Sequence, residues 1–101
     1  MKHPMEAKQH CEKIYSTLIN RGYMISTQRK ILIEALCEQQ EISDMESFWM
    51  DLRQRHGISW ATVYTNIRLL IHMGWVRRDE HAGLMEARYQ LNNQRESGPL
   101  A

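Results

Sequence analysis

The chain has 101 residues, and 13 Lys and Arg against 12 Asp and Glu give it a formal net charge of +1. This length allows one domain with one modest core. No apolar run approaches the ~20 residues that would span a bilayer, and the N-terminus has no apolar signal segment, so we expect a cytoplasmic protein. The near-neutral charge weakens a nucleic-acid hypothesis, because dedicated binders are often strongly basic. Affinity also depends, however, on where the charges lie.

Residues with reactive or metal-binding side chains form no recognisable site. The two cysteines, Cys11 and Cys37, lack metal-type spacing, and we expect them to pack as small apolar residues in a reducing compartment. The five histidines show no ligand-like pairing, so no metal and no cofactor is predicted. The sequence also has no Gly-rich phosphate loop, no triad-like Cys/His pair and no evident pair of catalytic carboxylates, so no enzyme is predicted.

Apolar residues at helical spacing predict three helices in the first half of the chain. The first covers residues 6–20 and stops at Gly22. The second runs from about Thr27 to Glu38 after a Ser26 cap, and the third runs to about Arg55 with Ser43 and Asp44 competing as its cap. The residues between the second and third helices, 39–42, form a polar connector.

Two cations, Arg29 and Lys30, fall in the first turn of the second helix. Positive charge there opposes the helix dipole, so these side chains gain nothing locally. Either they bind an external anion or they are solvated surface charges.

The most informative pattern lies between Ser59, which can cap a helix, and Gly74, which can end one. On a wheel of about 100° per residue, one side is apolar: Val63, Ile67, Leu70 and Ile71, with Trp60 beside them. The other side is small, hydroxylic or cationic: Ala61, Thr65, Arg68 and His72, with Tyr64 on the flank. No carboxylate occurs from Ser59 to Met73. This outward side suits a nucleic-acid groove, although an ordinary amphipathic surface helix gives the same pattern.

After Gly74 the pattern changes to that of a β-hairpin. One strand covers residues 75–78, a turn follows near residues 81–83, and an alternating strand runs over 85–91. A hairpin after a helix-turn-helix predicts a winged helix, a mainly α (α+β) fold over residues 1–91, with a disordered tail at 92–101. Arg77, Arg78 and Arg88 could then reach phosphate, while the acidic residues among them reduce that field; alternatively, the hairpin only covers the core.

Five strings at matching spacing resemble the N-terminal DNA-binding domain of the ferric uptake regulator family: Ser26-Thr27-Gln28-Arg29, Leu32-Ile33-Glu34-Ala35-Leu36, Ile58-Ser59-Trp60-Ala61-Thr62-Val63-Tyr64, Gly74-Trp75-Val76 and Tyr89-Gln90-Leu91. The resemblance implies a winged helix whose fourth helix, residues 60–73, enters the major groove. It also implies that Tyr64 contacts bases, through a thymine methyl, and that Arg29 contacts the DNA backbone.

The sequence departs from the family pattern in two places. The family commonly has arginine directly after this tyrosine, and here the residue is Thr65. Arginine can pair bidentately with guanine, worth roughly 1–3 kcal/mol of discrimination, so either Arg68 substitutes or base reading is weaker. The chain also stops where the family's dimerisation and metal-sensing domain would begin, and residues 39–43 lack the family's regulatory histidine. Iron or zinc sensing is therefore not carried over.

We therefore expect a DNA-binding transcription regulator of the repressor type that lacks the dimerisation domain. Its expected partners are double-stranded DNA and a second copy or another regulator subunit, with no membrane; exposed Leu69 and Met73, or the first helix, would supply the protein interface. The alternative is an interaction module that has lost sequence-specific DNA reading and binds a partner regulator. The predicted DNA-binding residues are Arg29, Lys30, Ser59, Ala61, Thr62, Tyr64, Thr65, Arg68, Arg77 and Arg78.

Overall fold

The computed structural model describes residues 4–79 and 88–92. Within these residues the elements follow the order α1 (Pro4–Asn20), α2 (Thr27–Gln39), β1 (Glu41–Ile42), α3 (Met45–His56), α4 (Trp60–His72), β2 (Val76–Asp79) and β3 (Arg88–Leu91). The predicted fold class, a mainly helical winged helix, is confirmed. In the described part of the chain, no helix has the length and apolar character needed to cross a membrane.

The helix starts follow from hydrogen bonds to side-chain oxygens. Ser26 Oγ accepts the Arg29 backbone N–H at 3.1 Å, as predicted for the cap of α2. At α3 the cap is Asp44, whose Oδ1 accepts the backbone N–H groups of Glu46 and Ser47, at 3.1 and 3.4 Å. Of the two predicted candidates, Asp44 is therefore the cap and Ser43 is not.

A third strand was not predicted. Residues 41–42 were expected to be part of a connector, but β1 pairs antiparallel with β3, and the sheet order is β1-β3-β2. Two residues are too short for alternation to reveal a strand. Ile42, 2% exposed, nevertheless joins the core. The predicted turn at 81–83, residues 85–87 of the second predicted strand, and nearly all of the predicted tail, 93–101, lie outside the described residues.

One core joins the helices and the sheet. Its fully buried side chains come from α1 (Ile14, Leu18), α2 (Leu32, Ile33, Leu36), the α3–α4 connector (Ile58) and α4 (Val63, Ile67, Leu70), with Ile42 from β1. Cys11 and Cys37 are buried in this core as thiols, as expected. Leu69 and Met73, predicted to be exposed, are half-buried and pack against this core. They belong to the edge of the core because α4 ends against β2, which widens its buried side.

Candidate nucleic-acid interface

The outward face of α4 carries the four side chains predicted to read bases. Ala61, Tyr64, Thr65 and Arg68 are all exposed, and Tyr64 keeps 43% of its surface accessible. Val63, Ile67 and Leu70 fix this orientation, because burying them in the core turns the opposite side of the helix outward. The structure therefore brings these four predicted residues together on one carboxylate-free surface.

An aromatic cluster made of Trp49, Trp60 and Tyr64 connects α3 to α4. The Trp60 and Tyr64 rings stack with their centroids 5.9 Å apart and an interplanar angle of 17°. Trp49 meets Trp60 edge-on, at 5.6 Å and 77°. The guanidinium carbons of Arg53 and Arg68 each lie 5.7 Å from a ring centroid, over Trp49 and Tyr64 respectively. The cluster thus has a cation at each end.

Trp60 occupies a different place from the one its sequence position suggested. It was predicted beside the apolar side of the helix, but 42% of its surface is exposed and it stacks on Tyr64. The reason is that residues three or four apart on a helix are neighbours. Trp60 can therefore pack beside the exposed Tyr64 as readily as beside the buried Val63.

At the start of α4, the two predicted phosphate-binding hydroxyls contact each other. Ser59 Oγ accepts the Thr62 backbone N–H at 3.2 Å and donates its proton to Thr62 Oγ1 at 3.1 Å. Ser59 therefore acts as the helix cap within the chain. Thr62 accepts from Ser59 and so retains its own hydroxyl proton for an acceptor near the positive end of the helix.

Arg29 joins α2 to α4 through a buried amide. Its Nε–H donates to Asn66 Oδ1 at 2.6 Å, and its Nη1 donates to the Met24 carbonyl at 2.8 Å. Asn66 Nδ2 donates to the Thr62 carbonyl at 2.8 Å. The guanidinium also lies over the Tyr23 ring, 5.8 Å from its centroid. The hydrogen bonds to Asn66 and to the Met24 carbonyl use two of the five N–H donors of the Arg29 guanidinium. Arg29 therefore orients α4 and still has donors for an external anion.

Asn66 is the residue that sequence reasoning missed. Among the described residues it is the one polar side chain that is buried, at 6% exposure. A signal was present, since Asn66 lies three residues after Val63 and four before Leu70, within the predicted apolar stripe. A polar residue in such a stripe needs an internal partner, and Arg29 supplies it.

Lys30 lies beside α1, apart from the side chains of α4. It lines a groove of about 490 Å³ between α1 and α2, together with Glu12, Glu34, Glu38 and other residues of the two helices. Tyr15, in the same groove, donates its hydroxyl proton to Glu34 Oε2 at 3.4 Å. The structure thus places Lys30 in a groove whose lining contains three carboxylates and one further lysine, Lys8.

Of the two buried thiols, Cys11 lines this groove. A hydrogen bond from Cys37 lowers the pKa of Cys11, whereas burial raises the pKa of Tyr15 well above its ordinary value. Among residues 4–79 and 88–92, no group of three or more His, Cys, Asp or Glu side chains could hold a metal ion. The described residues therefore do not fit the metal sites of the family that the sequence resembles.

The predicted cations of the sheet are divided between its two faces. Arg77 and Arg78 are consecutive in β2, so their side chains point to opposite sides. Arg77 Nη2 donates to the Gln90 side chain across the strand pair, and Arg78 lies over the Tyr89 ring at 6.0 Å. Arg88 forms an ion pair with Glu41 at 3.7 Å. One flat phosphate surface can therefore meet only one of Arg77 and Arg78 directly.

A helix-turn-helix made by α3 and α4, followed by the antiparallel β2–β3 pair, defines a winged-helix protein with an exposed, carboxylate-free fourth helix. The family model for the ferric uptake regulator family matches residues 20–98, and the chain belongs to that family. Its members are DNA-binding transcription regulators that typically dimerise, and they are not enzymes. No curated protein matches the chain at a significant level.

Proposed function

We propose that this chain binds double-stranded DNA as the reading domain of a cytoplasmic transcription repressor, with α4 in the major groove and β2–β3 against the backbone. The observation that carries the proposal is the outward face of α4. It combines exposed Tyr64 and Arg68 with a complete absence of carboxylates from Ser59 to Met73. A face of this kind can enter a groove lined by phosphates without electrostatic cost.

Base reading rests on the middle of α4. Tyr64 and Ala61 offer apolar contacts to a thymine methyl, and Arg68 offers donors to guanine. Thr65, which stands where the family commonly has arginine, gives a short hydroxyl instead. Arg68 lies one turn further along the helix, over the Tyr64 ring, so the base it reads lies further along the groove than the one an arginine at position 65 would reach.

Backbone contacts surround this reading surface. The proposed phosphate-binding groups are the remaining N–H donors of Arg29, the Thr62 hydroxyl near the α4 N-terminus, and whichever of Arg77 and Arg78 faces the DNA. Ser59 joins them only if its hydroxyl proton turns from Thr62 to the phosphate. Lys30 belongs to this set only if the DNA extends past α2, because its groove is lined by carboxylates. With so few phosphates contacted, affinity is modest and falls steeply with salt.

Two half-sites require two copies of α4. We propose that a second copy of this chain, or another regulator subunit, supplies the second reading helix. Leu69 and Met73 are poor candidates for the contact because both are packed against the core.

The test is a fluorescence anisotropy titration of the full chain against labelled duplexes at low and at higher salt. The duplexes come from a selection on a randomised pool, with an unselected duplex as reference. We expect binding at low salt, a preference for the selected duplexes, and a log–log salt slope of about −0.9 for each phosphate contacted. Absence of binding at low salt contradicts the proposal.

The alternative function is a protein-interaction module that retains the scaffold without reading DNA. Arg77 pairs with Gln90 and Arg88 with Glu41, so these cations already bind neighbours within the sheet, which favours this alternative. The net charge of +1 also favours it, because it gives little overall attraction to DNA. Pull-down from native lysate discriminates between the two. A partner regulator retained after nuclease treatment, together with no affinity for any duplex, supports the interaction module.

A further inference from the structure

Trp60 is a large apolar side chain that remains exposed outside the core. It is the first residue of α4, and 42% of its surface is accessible although the core lies directly behind the helix. Its neighbour Tyr64 is equally exposed, at 43%. Two adjacent exposed rings on one helix face indicate a contact surface more than a packing surface.

The neighbours of Tyr64 determine which part of its ring is available. Trp60 precedes it by four residues and stacks on it, and Arg68 follows it by four residues and lies over its ring. On a helix these two positions lie on either side of a residue along the axis, so Trp60 and Arg68 both limit access to the faces of the Tyr64 ring. Tyr64 therefore presents its edge and hydroxyl outward, which suits a groove and not the stacking of an unpaired base.

Trp60 is held in place in a similar way. Tyr64 lies parallel to its ring, and Trp49 of α3 meets it edge-on. Such aromatic pairs stabilise each other beyond the area that they bury. The Trp60 ring is thus ordered before any ligand arrives, so little conformational entropy is lost when it makes a contact.

The spacing of the two rings matches the spacing of bases. Four residues of helix advance about 6 Å along its axis, at 1.5 Å per residue. Successive bases on one strand are about 3.4 Å apart. A helix lying along the groove would therefore place Trp60 and Tyr64 one or two base steps apart.

We propose that Trp60 is a second apolar base-reading residue, whose ring edge contacts a thymine 5-methyl group one or two steps from the base contacted by Tyr64. The thymine methyl is the apolar group that base pairs present in the major groove. The charges fit such a partner, because Arg53 and Arg68 stand at the two ends of the aromatic cluster and α4 carries no carboxylate. The inference rests on the proposed function and assigns it a preference for two neighbouring thymines.

The test replaces thymine with deoxyuridine, which removes only the methyl group. A duplex enriched from the randomised pool by the full chain is resynthesised with deoxyuridine at each thymine in turn, and dissociation constants are measured by anisotropy. Burial of one methyl is worth about 0.8 kcal/mol, which is about a fourfold change in affinity. We expect two positions, one or two steps apart, each to lose about fourfold.

The protein variants assign the two positions. Trp60→Ala should abolish the effect of deoxyuridine at one position and leave it at the other, whereas Met50→Ala should leave both unchanged. Met50 is the matched control because it is an exposed apolar residue of α3, at 38%, outside the aromatic cluster. Thermal unfolding of each variant verifies folding, and Trp60→Leu serves in place of Trp60→Ala if the alanine variant does not fold.

Three outcomes overturn the inference. One is a wild-type scan with a single methyl-sensitive position or none, a result that needs no variant. Another is a Trp60→Ala chain that keeps both sensitivities. In either case DNA binding itself stands, and only the role of Trp60 fails. The third is the absence of enrichment from the pool together with no binding at low salt, which overturns the proposed function first and this inference with it.

Discussion

Arg29 donates its Nε–H to Asn66 Oδ1 at 2.6 Å, across 37 positions of sequence, and this bond connects the second helix to the fourth. Because Asn66 in turn donates to the Thr62 carbonyl, the first turns of α4 are fixed relative to α2. The orientation of the reading surface therefore depends on a charged hydrogen bond at its back, in addition to the apolar core.

Replacing Asn66 with alanine should destabilise the chain. The change removes the acceptor of Arg29 and leaves a small void, and an unpaired partner of a partly buried hydrogen bond costs about 1–3 kcal/mol. Urea unfolding followed by circular dichroism measures the loss. Asn20→Ala, at the exposed end of α1, is the matched control and should change the unfolding free energy little. Equal stability of the two variants would show that the Arg29–Asn66 contact contributes nothing.

Replacing Arg29 with alanine should weaken DNA binding about equally on all duplex sequences. If the free guanidinium donors bind a phosphate, the magnitude of the log–log salt slope falls by about one. Asn66→Ala keeps the cation, so it should lower affinity without changing the slope. An unchanged slope in Arg29→Ala would mean that Arg29 only orients α4 and makes no phosphate contact.

Replacing Tyr64 with alanine should change sequence preference as well as affinity. Loss of one base contact is expected to cost roughly tenfold on the selected duplex and much less on a random one. Tyr64→Phe keeps the ring that Trp60 and Arg68 flank, and should retain most of the preference. Competition titrations with both duplexes measure the ratio, and equal losses on both would remove Tyr64 as a base reader.

The cap of α3 should make stability depend on pH. The Ser47 hydroxyl donates to Asp44 at 2.8 Å, and this bond, with the backbone N–H groups of Ser47 and Glu46, holds the pKa of Asp44 below its ordinary value of 3.8. Because the pKa of Asp44 is lower in the folded chain than in the unfolded chain, the ionised carboxylate stabilises the fold. This stabilisation is complete above the unfolded-state pKa and is lost as the pH falls through the folded-state pKa. Asp44→Ala should therefore unfold at a lower temperature than wild type at pH 7, and the gap should narrow below about pH 4.

Asp44→Asn provides the control for that titration. Asparagine is also a good cap but carries no charge. The difference in unfolding temperature between Asp44→Asn and Asp44→Ala should therefore stay constant as the pH falls. A wild-type advantage over Asp44→Ala that stays constant down to pH 2 would contradict the assigned role of the carboxylate.

Periodic features of the sequence predicted the parts of the fold that local patterns determine. The apolar stripe Val63, Ile67 and Leu70 predicted both the buried side of α4 and, by exclusion, its outward face. The caps Ser26 and Ser59 were readable because a cap and its partner lie within three residues. Local signals of this kind do not depend on the tertiary structure.

Features that depend on distant residues could not be predicted in the same way. Arg29 and Asn66 meet only because α2 packs on α4, and Trp49 reaches Trp60 only because the turn between α3 and α4 brings the two helices together. The strand β1 exists only because β3 is present to pair with it. In each case the local sequence around one partner does not indicate the contact, because the contact forms only when the tertiary structure brings the other partner close.

The route of α2 through the molecule has a mechanical consequence. At its start, Arg29 holds the reading helix through Asn66. At its end, the chain passes through Gln40, whose carbonyl accepts the Leu91 N–H at 2.8 Å, into β1 beside the central strand of the sheet. The reading helix and the base of the wing are therefore mounted on one rigid support. A rotation of α2 would displace both together, so the chain should approach a duplex with its two contact elements already in register.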